Sequence, residues 1–259
     1  MTFLKRYTQA RGVKKEMVLI GHITELRKRL LITCLCFFLF LVGSFLYVQD
    51  IYDFLVRDLH HKLALLSPTD VIWLYMLLAC IVAVACTIPV AAFQLWLFIS
   101  PALSKHEART ALRYIPALFL LFIGGLAFGY FVVYPMILQF LLSITKGRFE
   151  MLFTASYYFQ FMLNITLPFA FLFEIPLITM FLTSLRIIQP QLLRKFRKIA
   201  YFLLIATAVL ITPPDFVSDF IVTIPLLFLY EVSIILSQLV HKKKQRSEET
   251  ARRNWQKTS

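Results

Sequence analysis

The chain has 259 residues, of which 59% are hydrophobic and only 16% charged, and its mean hydropathy is +0.75. A water-soluble domain of this size needs far more polar surface, so the composition excludes one. The net charge of +13 would suit nucleic acid, but the placement of the charges assigns them to membrane topology and anionic lipid headgroups, and no nucleic-acid partner is expected.

Residues 1–29 form a basic segment carrying Lys5, Arg6, Arg11, Lys14 and Lys15 with no apolar stretch long enough for a cleavable signal sequence. The second residue, Thr2, is not the glycine that myristoylation requires. Charge-free runs then follow at 30–49, 71–104 and 114–145, and the run 151–185 holds one charge, Glu174. A helix of about 20 apolar residues spans a bilayer, so each run is long enough. Two weaker runs come last, 199–214 and 220–230, the second bounded by Asp219 and Glu231 and expected to extend to about residue 240. The reading is an all-α membrane protein. It has a basic N-terminal segment (1–29), one domain of six transmembrane helices (30–240) and a basic tail (241–259) that is expected to be disordered or surface-bound.

Both termini and the loops after spans two and four hold 23 of the 27 lysines and arginines; the other side holds Arg57, Lys62, Lys146 and Arg148. The positive-inside rule puts both termini in the cytoplasm, which requires an even number of spans. Pro89, Pro116, Pro135, Pro168, Pro176 and Pro225 lie in or near spans and predict kinked helices. Gly125 and Gly129 form a small-xxx-small pair suited to close helix packing. The last pair of helices looks too short to cross a normal bilayer: 199–211 is 13 residues, about 20 Å of helix against a hydrocarbon core of about 30 Å.

Chemistry is sparse. Cys34, Cys36, Cys80 and Cys86 fall inside spans without a CxxC, so core thiols are expected and no metal site. No phosphate-binding loop or GxSxG occurs, and "HEART" (106–110) lacks the second histidine of a zinc motif. No enzyme and no cofactor are expected. What remains is a set of carboxylates. Glu25, in "GHITELRKRLLI" (21–32), sits among Arg27, Lys28 and Arg29. It either pairs with Arg29 at i,i+4 or offers a carboxylate to an incoming guanidinium. Glu107, in "FISPALSKHEARTALRYIP" (98–116), either closes a capping box with Ser104 or does the same. Glu174 interrupts "FAFLFEIPL" (169–177). A carboxylate at that depth is expensive, so it should face the bundle interior, as a structural carboxyl bonded to a neighbouring helix or as a functional polar contact. A proton-coupled solute transporter, with Glu174 as its relay, is the rival reading. A passive scaffold for other membrane proteins is the second.

Four stretches together carry a resemblance: "HITELRKRLL" before span one, "FISPALSKHE" after span two, "FLFEIP" in span four and "ITPPDFVSDFIVTIPLLFLYE" across the last two helices. In this order and at this spacing they resemble the TatC family, the receptor core of the twin-arginine protein translocase, over about 22–244. The resemblance implies a concave, glove-like bundle of six helices in a bacterial cytoplasmic membrane. It implies recognition of folded precursors bearing twin-arginine signal peptides, TatA-type and in some organisms TatB-type single-span partners in an oligomeric complex, and the proton-motive force as energy source. Position by position, it implies that Glu25 and Glu107, with His22, Leu26, Arg27, Phe98 and Pro101, contact the signal peptide. It further implies that Glu174 is the intramembrane glutamate and that Thr212, Pro213, Pro214 and Asp215 form the turn of the last pair. Many members carry an amide where this chain has Asp219, in a region implicated in docking TatA-like helices.

Overall fold

A computed structural model of the chain describes residues 2–57, 64, 67–102, 112, 114–145, 154–185 and 187–258. Five helical stretches are long and apolar enough to cross a membrane: Ile23–Leu46, Thr69–Ile99, Tyr114–Ile144, Ala155–Ser184 and Phe216–Arg246. Together with a shorter helix, Arg197–Ile211, they account for the six expected apolar segments.

The first helix, α1 (Thr2–Leu46), runs unbroken for 45 residues, so the basic N-terminal segment leads into span one without a joint. It packs on α3 (Pro68–Ile99), and Leu30, Leu31, Leu35, Leu39 and Val42 remain exposed. In a bilayer such a face needs only lipid. Between them lies a short helix, α2 (Val48–Val56). Its Val48 is buried, and its Tyr52 ring lies 6.1 Å from Tyr75 and 5.5 Å from Phe159. The start of α3 is set by a capping box in which Thr69 N donates to Ser67 Oγ and Ser67 N to Asp70 Oδ2. A bond from Ala155 N to Ala64 O, 2.9 Å, ties the loop before α3 to the start of span four.

Span three is two helices, α4 (Tyr114–Phe128) and α5 (Tyr134–Thr145), joined by a π turn over Gly129–Val133. Pro135 cannot donate to the carbonyl of Phe131, and the widened turn absorbs that break in the ladder. Gly125 and Gly129 bring this span onto span four. A Cβ on Gly125 would lie 2.7 Å from Ala170 Cα, and one on Gly129 would lie 2.8 Å from Thr166 Cα. The pair is a packing device.

Span four is also broken. Helices α6 (Ala155–Leu172) and α7 (Ile175–Ser184) meet at Phe173–Glu174, with Pro176 in the first turn of α7, where its missing N–H costs least. Pro89, Pro168 and Pro225 lie inside α3, α6 and the last helix. The core is centred on α6: Phe159, Ile165 and Phe169 are fully buried with Val133 and Ile137 of span three and Val222, Leu226 and Ile234 of the last helix.

Helices α8 (Pro190–Lys195), α9 (Arg197–Ile211) and α10 (Phe216–Thr258) complete the chain. Two expectations are corrected here. The shortness predicted for the closing pair holds for the 15-residue α9 only, because α10 has a 31-residue stretch able to span. The tail is not a separate disordered segment either: α10 is 43 residues long and carries the chain to Thr258. Lys, Arg, Gln, Glu and Ala are strong helix formers, and a helix already formed extends without a new nucleation cost.

Candidate functional site

Three polar places stand out in an otherwise apolar bundle. The first is where span one begins and span two ends. Glu25 Oε1 accepts from Arg29 Nη2 at 2.7 Å, one helical turn on. Arg29 also donates through Nη1 to Gln94 Oε1 at 3.3 Å, which pins α1 to α3. The i,i+4 pair expected as the structural alternative is therefore present. It leaves Glu25 Oε2 without a partner among the described residues, and the Glu25 side chain is 35% exposed. A carboxylate has about four lone-pair sites, so the pair does not exhaust it. Leu26, Arg27 and Lys28 are exposed around it. Thr24, Arg27, Lys28, Leu31, Ile32 and Leu35 lie together along one open face of α1. Phe98 is half-buried one turn beyond Gln94, and Pro101 is exposed in the 3-10 turn Ser100–Ala102. Glu107 and the side chain of His22 lie outside the described residues.

The second place is the turn between α9 and α10. Pro213 and Pro214 stop α9, and Thr212 takes up extended geometry as its C-cap. The Thr212 hydroxyl lies within bonding distance of the Ala208 carbonyl, 2.9 Å away, and of Asp219 Oδ1. Its single proton serves one at a time. Asp215 caps α10: its Oδ1 accepts from Ser218 N at 2.7 Å, while Oδ2 is buried without a partner among the described residues. Asp219 is thus built into the turn through Thr212.

The third is Glu174, at the break in span four. It is 6% exposed. Its backbone is bonded, N to Phe171 O and O from Ile178 N, but neither carboxyl oxygen has a partner among the described residues. The structural alternative of a carboxyl bonded to a neighbouring helix finds no such bond among them. Around the break the contacts are aromatic, with the Phe128 ring 5.3 Å from that of Phe173 and 5.6 Å from that of Phe169. Beyond it, α7 is held to α10 by Thr183 Oγ1 and Ser237 Oγ at 2.6 Å and by Lys244 Nζ donating to Ser184 O at 2.8 Å.

Sequence reasoning missed one network. Arg197 Nη2 donates to Glu231 Oε2 at 2.7 Å, Tyr201 OH donates to Glu231 Oε1, and Tyr230 OH donates to Leu193 O at 2.9 Å. Arg197 and Tyr201 stand four apart on α9, facing Glu231 in the apolar middle of α10. That spacing was the available signal, but Glu231 was read as a mere boundary. Among the described residues no group of His, Cys, Asp and Glu could hold a metal ion.

The three places fall on a chain with clear relatives. Residues 21–225 match the family model described as "Sec-independent protein translocase protein (TatC)". The protein TatCd of Bacillus subtilis (strain 168) is 57% identical over 238 residues, which is 92% of this chain and 98% of that protein. TatCy of the same strain is 41% identical over 236 residues, 90% of this chain and 93% of that one. A crystal structure of the "Twin Arginine Translocase Receptor- TatC" superposes with a TM-score of 0.73 at 30% identity, covering 85% of this chain and 99% of its own. The chain therefore belongs to the TatC family, as a multi-pass membrane subunit of the Sec-independent (Tat) protein translocase and not an enzyme.

Proposed function

We propose that the chain is the receptor core of its translocase. It binds the twin-arginine signal peptide of a folded precursor at the end of the bundle where α1 enters, and Glu25 and Glu107 jointly accept the arginine pair. His22, Leu26, Arg27, Phe98 and Pro101 complete this surface. TatA-type and TatB-type single-span subunits assemble on it inside the membrane, with Glu174, Thr212, Asp215 and Asp219 as polar contacts, and the proton-motive force drives export. The membrane is the bacterial cytoplasmic membrane, with both termini in the cytoplasm. The skew of 23 of 27 basic residues to that side supports the orientation. Family membership displaces the reading of Glu174 as a solute transporter's proton relay.

The observation that carries the receptor reading is Glu25. It is a partly exposed carboxylate with an open oxygen, set among Arg27, Lys28 and Arg29. A basic surface repels a cationic peptide except where such a point accepts a guanidinium fork, so Glu25 sets where the peptide docks. A hydrogen bond to a charged partner contributes about 1.5–3 kcal/mol, or roughly 10- to 150-fold in binding, less where solvent screens it. The test is photo-crosslinking of an Arg-Arg precursor to positions beside Glu25 and Glu107. A Lys-Lys precursor and a Glu25→Gln, Glu107→Gln double variant serve as controls. Both controls should lose the crosslink; equal labelling of the Arg-Arg and Lys-Lys precursors would overturn the reading.

A further inference from the structure

The face of α6 turned away from the core is not uniformly apolar. Tyr157 is 71% exposed, and Gln160 and Asn164 are exposed as well, while Phe159, Met162, Leu163, Ile165 and Thr166 between and beyond them are buried. The spacings of three and four residues put Tyr157, Gln160 and Asn164 on one stripe. Neither carboxamide has a hydrogen-bond partner among the described residues. Pro168 lies inside α6 four residues after Asn164 and has no N–H, so the helix cannot close its usual bond on the Asn164 carbonyl. One position thus offers a donor and two acceptors.

Depth makes this expensive. Span four is 30 residues long, about 45 Å, against a hydrocarbon core of about 30 Å. If the core is centred on the span, Gln160 lies at its outer boundary and Asn164 about one turn inside. Gln160 can reach headgroups, but Asn164 is too short to do so. Polar groups facing lipid at that depth call for a partner that brings its own unpaired donors and acceptors.

A regular transmembrane helix brings none from its backbone. An extended chain brings one of each per residue. The spacing fits too: Gln160 and Asn164 are about 6 Å apart along the helix, and groups on one side of an extended chain repeat every 6.4–6.8 Å or so. We propose that the Gln160–Asn164 stripe, together with the freed carbonyl of Asn164, is a hydrogen-bonding track. It carries the extended stretch of a precursor that links its signal sequence to its folded body, as that stretch crosses the outer half of the bilayer. The track rests on the receptor reading above, and it is a surface separate from the one that reads the signal.

The experiment uses the full chain in membranes with its partner subunits. A photo-reactive phenylalanine analogue is placed at Ile23, which is exposed beside Glu25, or at Tyr157, and a precursor is halted part-way by a bulky folded domain. Both positions should label the precursor. In a Gln160→Leu, Asn164→Leu variant the protein level and the Ile23 label should persist. The Tyr157 label and the transport rate should fall by about tenfold or more, as expected from losing two hydrogen bonds. The swap Gln160→Asn, Asn164→Gln, which keeps both carboxamides, should restore most of each. An Ile23 label without a Tyr157 label overturns the track and leaves the receptor reading standing. Label at neither position overturns both. Normal transport by the leucine variant, its loss from the membrane, or Tyr157 labelling a single-span subunit in place of the precursor also overturns the track.

Discussion

Replacing Glu174 by leucine should make the bundle more stable and the translocase worse. The side chain is 6% exposed and both carboxyl oxygens lack a partner among the described residues. Leaving a buried polar group unsatisfied costs about 1–3 kcal/mol, whereas leucine brings apolar surface into contact with the phenylalanines at the break and carries no such penalty. The expected gain in stability is therefore about 1–3 kcal/mol, read as a higher midpoint of thermal unfolding for the purified protein. Signal-peptide crosslinking should not change, because the surface proposed for it lies where span one begins and span two ends, away from Glu174. Co-isolation of the single-span subunits and transport should both fall. Glu174→Gln keeps the hydrogen-bonding capacity and should retain more of each than leucine does. The reasoning is refuted if Glu174→Leu lowers the midpoint or abolishes the protein, since the carboxyl would then be making a bond the bundle needs. Full transport by a well-folded Glu174→Leu would refute the docking role alone.

Other consequences are as direct. Gly129→Ala and Gly125→Ala place a Cβ 2.7–2.8 Å from backbone atoms of α6 and should each lower stability by about 1–3 kcal/mol. Gly124→Ala, where nothing lies within 4 Å of the new atom, should be neutral or slightly stabilising; parallel melts of the three separate packing from helix propensity. Arg197→Gln should cost no more than about 1 kcal/mol, because Arg197 and Glu231 are 42% and 33% exposed and solvent screens the pair. A double-mutant cycle with Glu231→Gln measures it. The 15 residues of α9 make about 22 Å of helix, so spin labels along it should show the bilayer locally thinned beside it, and quenching depths that place α9 across about 30 Å would contradict this.

The spans were legible because charge is excluded from hydrocarbon whatever the tertiary structure, so charge-free runs mark them directly. The Glu25–Arg29 pair was legible because helical spacing dictates it. Gln94 as the second partner of Arg29 was not, since 65 residues separate the two and only the packing of α1 on α3 brings them together. The π turn before Pro135 could not be read either. A proline announces a break in the ladder but not which local geometry absorbs it. The extent of α10 was misread for a different reason: a polar sequence was equated with disorder, although its residues are good helix formers attached to a helix that already exists. The contact of Gly125 and Gly129 was legible as a type of packing, but its partner surface, Thr166 to Phe173, was not.

The break at Phe173–Glu174 makes span four two rods and not one. The second rod, α7, is tied to α10 at Thr183–Ser237 and Ser184–Lys244, so a displacement of α7 about the joint would carry α10 with it. From Asp219 to Thr258 α10 is about 58 Å long, and a turn of about 10° about its Pro213–Pro214 end would sweep the far tip through roughly 10 Å. A contact at the carboxyl of Glu174 would therefore act on the joint of α6 and α7, and through α7 on the long arm of α10.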